Sequence, residues 1–189
     1  MPSLLFKKRM ADFNLFESYL KAKTASNFNV NDNSKVFIHR GITLAEFRKF
    51  FGQTRTKEDM LAMNEAQWRH GMKKLYWLKC KADKINSQIV AELFVDWYMD
   101  SGNHAVCKIQ RVFGQAPSGE IDGAFLRALN NPDEQYVFGK IINGRISFIR
   151  KACMVGEYSR NVESMKIQAL NYFITKAHEN ESGEACKEP

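Results

Sequence analysis

Apolar residues recur at helical spacing along most of this chain, and that pattern predicts an all-α fold. Asp12 can cap a first helix running to about Lys23, with Phe13, Phe16 and Leu20 on one face. From Thr24 to Ile42 the chain turns polar and asparagine-rich, with no apolar run before Val36-Phe37-Ile38. This stretch reads as a long loop or a small irregular hairpin. Thr43-Leu-Ala-Glu46 is a capping box for a short helix ending before Gly52. Asn64-Glu-Ala-Gln67 opens another, with Trp68, Met72, Leu75 and Tyr76 facing inward. A central helix is predicted over about 86–100 and breaks at Ser101-Gly102, and the next runs from Asn103 to Val112. A short helix capped by Asp122 and two long ones, about 133–153 and 161–178, complete the pattern. The tail from residue 179 lacks apolar anchors and reads as disordered.

The central helix carries the strongest signal. Its apolar side chains from Ile89 to Met99 cover nearly the whole circumference, so it should lie in the middle of the fold. Glu92, Asp96 and Asp100 share one narrow arc at i, i+4, i+8. Buried carboxylates cost several kcal/mol unless paired or hydrated. The seam therefore meets either structural Lys and Arg or the wall of a substrate cleft; the spacing does not decide between them.

The 189 residues are enough for a self-sufficient core. Cys80, Cys107, Cys153 and Cys186 follow no metal or redox spacing and read as reduced thiols; no metal and no cofactor is expected. MPSLLFKKRM has its charge after its short apolar run, unlike a secretory signal, and no 18-residue apolar run offers a membrane span. Either Met1 or Met10 can be the start, and the chain is expected to accumulate in the cytoplasm unless a holin or another export route releases it to the cell wall. The net charge of +7 is uneven: residues 1–57 hold 11 Lys and Arg against 4 Asp and Glu, and the rest is nearly balanced. That polarity suits an anionic polymer, but no nucleic-acid motif accompanies it.

Several short matches then fall into order: ADFNLF (11–16), Gly41-Ile42-Thr43-Leu44, Tyr76-Trp77, KADKI (81–85), VDW (95–97), Ser101-Gly102, Lys108-Ile-Gln-Arg-Val112 with Gly114, and Arg145 with Phe148. Together they resemble the glycoside hydrolase family 108 lysozyme-like proteins, the phage-type N-acetylmuramidases or secretion activators. The resemblance spans about 11–175. It implies a lysozyme-like part over 11–102 after an extension 1–10, a peptidoglycan-binding-like helical part over 103–178, a tail 179–189, and a prophage-type origin. It also implies peptidoglycan glycan strands as substrate, with Thr43, Tyr76, Trp77, Trp97 and Ser101 near the groove. Helical Trp77 and Trp97 read as core before sugar platforms, and Thr43 as a helix cap before a cleft residue.

The family's catalytic glutamate closes the first helix in a Glu-Gly-Gly-Tyr signature. Here that signature reads Thr24-Ala25-Ser26-Asn27, and Ser34-Lys35-Val36-Phe37-Ile38 replaces the Pro-Gly-Gly turn that follows. Glycosidic cleavage needs a carboxylic acid to protonate the leaving oxygen, and losing that acid removes roughly 10²–10⁴-fold in rate. Asp32 in the loop, Glu17 about 10 Å back along the helix, and Asp96 of the VDW match are the available carboxylates. In the C-terminal part, Ala169 stands where the family usually has tryptophan, and Ser118-Gly119-Glu120-Ile121-Asp122 replaces its usual turn. The expectation is a peptidoglycan-directed relative, a pseudoenzyme with lost or reduced hydrolysis. The alternatives are an active muramidase using Asp32 or Glu17, and a protein-interaction scaffold whose partner meets the N-terminal third.

Overall fold

The computed structural model describes residues 10–25 and 37–185, with side chains described through residue 179. The described residues are helical apart from one hairpin of two two-residue strands, and the chain divides into two compact units. One is Asp12–Asp83; the other runs from Lys84 onward and takes in Ala11, whose amide donates to the Ile85 carbonyl at 2.8 Å.

In the first unit, α1 (Phe13–Ala25) starts at Asp12, whose carboxylate accepts from the Asn14 amide at 2.9 Å. Phe13, Phe16, Leu20 and Thr24 form its buried stripe, so the apolar face continues one turn further than the sequence pattern suggests. Strands β1 (Ile38–His39) and β2 (Ile42–Thr43) pair antiparallel, Ile38 opposite Thr43. Their two-residue turn, Arg40-Gly41, has φ of +49° and +77°, as a tight hairpin with native twist requires. α2 (Leu44–Phe51), α3 (Lys57–Leu61) and α4 (Glu65–Met72) each begin with a complete capping box, from Thr43, Thr56 and Asn64. α4 then passes into a π-helical turn, Lys73–Trp77. The extra residue in that turn shifts the helical register. Trp77 therefore enters the core, 5.8 Å from Phe13 and 6.0 Å from Phe16, while Tyr76 is only half-buried.

In the second unit, α5 (Gln88–Ser101) is the central helix, and all ten residues from Ile89 to Tyr98 are buried. Ser87 caps it and Gly102, at φ +55°, ends it. α6 (Asn103–Val112), α7 (Gly123–Leu129) and α8 (Glu134–Met154) follow. Gly144 lets α8 approach α6 closely, since a Cβ there would lie 2.8 Å from the Val112 methyl. The last stretch forms two helices, α9 (Arg160–Ala169) and α10 (Asn171–Ala185), divided at the buried Leu170. The helical backbone continues past residue 178, where the apolar period fades.

Candidate functional site

In the first unit, the end of α1 meets the hairpin. Thr24 is 2 % exposed and its hydroxyl donates to the Leu20 carbonyl at 2.7 Å. Its methyl faces Gly41 so closely that a Cβ on Gly41 would lie 2.8 Å away. The Gly41 carbonyl accepts from the Tyr76 hydroxyl at 3.0 Å, and the Arg40 carbonyl accepts from the Trp68 indole at 3.0 Å. The π turn and α4 thus hold the hairpin turn against the helix end, and the Thr24 hydroxyl is spent on its own helix.

A run of alternating charges lies on the same unit. Glu17 meets Arg69 at 2.7 Å and Lys21 at 2.9 Å; Glu65 meets Lys21 at 2.9 Å and Arg40 at 2.8 Å. Arg69 also bonds Asn14, and the Arg40 guanidinium lies 4.8 Å from the ring centre of the buried Trp68. Burial alone would raise the Glu17 carboxyl, but hydrogen bonds from Arg69 and Lys21 outweigh it and hold the group below its ordinary value. The bonds from Lys21 and Arg40 do the same to Glu65. Glu58 and Asp59 are lowered as well, mainly by hydrogen bonds at the start of α3. Every described carboxyl of this unit with a shifted ionisation is therefore shifted toward the carboxylate. None is poised to give up a proton near neutral pH.

The other candidates of this unit take structural positions. Thr43 is committed to its cap: its hydroxyl bonds the Glu46 carboxylate at 2.8 Å and accepts from the Glu46 amide at 3.2 Å. Trp77 is 1 % exposed and offers no ring face to a sugar. Asp32 lies outside the described residues.

In the second unit the acidic seam is met by cations from distant helices. Glu92, fully buried, receives the Lys176 ammonium on both carboxylate oxygens at 2.7 Å and the Gln88 amide at 2.7 Å. Burial would lower Lys176, but its bond to Glu92 outweighs that and holds the ammonium above its usual range. Asp96, 1 % exposed, lies 2.6 Å from one terminal nitrogen of Arg145; the other bonds Asp100 at 2.8 Å, and Lys166 approaches Asp100 at 3.6 Å. Ser101 is half-buried at the end of α5. It borders, with Trp97, Asp100 and Arg145, a void of about 10 Å³, too small for a sugar ring and at the limit for one water. Trp97 is 1 % exposed. Sequence reasoning left open what would meet the seam; its cationic partners lie 45 residues or more away, and no local spacing announces them.

Among the described residues no group of three His, Cys, Asp or Glu side chains is placed to hold a metal ion, and no helix is long and apolar enough to cross a membrane.

Residues 38–102, about a third of the chain, match the model of the glycosyl hydrolase 108 family. The solved structure of Brucella abortus SagA is similar at a TM-score of 0.63 and 20% identity, over 86% of this chain and 97% of that one. At that identity the likeness establishes the shared lysozyme-like fold. No curated protein matches the chain.

Proposed function

We propose that this protein is a peptidoglycan-directed relative of the N-acetylmuramidases whose glycosidase activity is lost or strongly reduced. The family match over residues 38–102 supports the substrate class. One observation carries the loss of activity. At the end of α1, where the family resemblance calls for the general acid, stands a buried threonine whose hydroxyl is bonded to Leu20, and the described carboxyls with shifted ionisation around it are all held ionised. A threonine hydroxyl does not protonate a glycosidic oxygen at neutral pH. Glu17, clamped by Arg69 and Lys21, is a poor substitute, because an acid must be protonated before it can act. Asp96 is likewise neutralised by Arg145 deep in the second unit and reads as structural. What remains is wall binding in an accessory role, reached by whatever route carries the chain out of the cytoplasm.

The test pairs binding with chemistry. Wild type is expected to co-sediment with purified peptidoglycan without releasing new reducing ends. Thr24→Glu restores the carboxyl at the helix end and is expected to raise release above wild type. Failure of the wild type to sediment with the wall would overturn the binding half of this reading, and reducing-end release abolished by Glu17→Gln would overturn the catalytic half.

A further inference from the structure

The second unit holds a surface that the packing of the fold leaves open. Between the C-terminal part of α8 and α9 runs a groove of about 950 Å³, lined by Arg150, Cys153, Met154, Arg160, Glu163 and Gln168 among others. Three observations set it apart. None of the ten residues of α9 is buried, so the helix is not committed to the core. Apolar side chains line the groove without being covered: Met154 is 86% exposed, Ile167 is half-buried, and Val155 next to Met154 is 62% exposed. Arg150 and Arg160 make no ion pair among the described residues, whereas Arg145, Lys166 and Lys176 of the same unit are all engaged with carboxylates. One carboxylate, Glu163, also lines the groove, facing the two guanidiniums and the Cys153 thiol, whose pKa it raises.

We propose that this groove docks a short segment of a protein partner that carries carboxylates beside large apolar side chains. Two free guanidiniums can each take a carboxylate with paired N–H donors. The unbranched Met154 adapts to apolar side chains of varied shape. An exposed apolar cluster rimmed by charge marks a protein-binding face more often than a solvated one. A glycan strand is a poorer occupant, because no lining residue supplies an aromatic ring for a sugar face.

The experiment uses the full chain and a displayed library of random 12-residue peptides at physiological salt. The peptides retained should be net acidic and rich in Leu, Met or Phe. The best of them, made synthetically and labelled, should bind about tenfold or more weakly to Arg150→Glu/Arg160→Glu, the scale of a lost charged hydrogen bond. It should also bind more weakly to Met154→Ser. Lys49→Glu/Lys74→Glu, with the same change of net charge in the other unit, should bind it as wild type does. Circular dichroism checks that the variants are folded; all the substituted groups are exposed or line the open groove. Retained peptides that are neutral or basic, equal weakening by both charge reversals, or no enrichment at all would overturn the proposal. So would self-association that Met154→Ser abolishes, which would assign the face to a second copy, or competition for the groove by muropeptide sugars.

Discussion

Arg145→Met isolates the energetics of the acidic seam. In the folded chain Arg145 is 4% exposed and bridges Asp96, 1% exposed, and Asp100, the latter also reached by Lys166. Methionine keeps most of the volume and removes the charge. Asp100 retains Lys166, so the cost falls mainly on Asp96, a carboxylate left inside an apolar helix bundle without its guanidinium. Breaking a buried pair from one side costs about 3–5 kcal/mol. For a chain of this length each kcal/mol is worth roughly 2–4 °C, so the melting temperature should fall by about 6–20 °C. Scanning calorimetry is the suitable assay, because it resolves the two units should they melt separately. Adding Asp96→Leu should return most of the loss, since replacing both members of a buried pair by apolar groups is often neutral or better. Arg145→Lys should fall between, as one ammonium does not span two carboxylates as a planar guanidinium does. A loss below about 1 kcal/mol, the scale of an exposed pair, would refute the reasoning, as would a double variant no better than the sum of its parts. Either result would mean that water reaches Asp96, and the substrate-cleft reading of the seam would return.

Other consequences follow from the first unit. Gly41→Ala places a methyl group at φ +77° and 2.8 Å from the Thr24 side chain; both effects act together, and a loss of about 1–3 kcal/mol in denaturant unfolding is expected. Gly41→Ala in a Thr24→Ser background, which removes the clashing methyl, should recover part of it. His39 is buried beside Arg40, and desolvation first and that charge second lower its pKa from 6.5. The unfolded chain therefore takes up this proton first. The stability His39 contributes is complete above about pH 6.5 and is lost as pH falls through its lowered folded value. Melting temperatures measured from pH 7.5 to 5 should decline, and His39→Gln should flatten that slope; an unchanged slope would remove His39 as its cause.

How far the sequence alone reached depends on the range of the interaction. Thr43-Glu46 and Asn64-Gln67 were readable because a capping box is complete within four residues. The Thr56-Asp59 box of α3 has a chemically equivalent signal but only a five-residue helix behind it, too short to set up an apolar period. The burial of α5 was legible because every side of the helix is apolar. What neutralises its seam was not, since Arg145 and Lys176 arrive from α8 and α10 by tertiary packing. The π turn at Lys73–Trp77 was missed for a different reason: a register shift leaves the composition unchanged and only exchanges which of Tyr76 and Trp77 is buried. The division at Leu170 was hidden because the apolar residues on either side keep helical spacing across it. At the candidate site, the threonine that the resemblance sets at the acid's position was visible in the sequence. The bonds that hold Glu17 and Glu65 ionised join residues 25 to 52 positions apart or share one lysine between them, and only the fold reveals them.

The central claim is that the carboxyl chemistry of a muramidase is absent while the scaffold is kept. Its most direct test is the rate at which the wild-type chain releases reducing ends from purified peptidoglycan, set beside an active muramidase under the same conditions. The account predicts a rate lower by roughly 10²–10⁴-fold or more, the contribution of a general acid. Release within about tenfold of the active enzyme would contradict it and would require a protonated carboxyl that is absent from the described site.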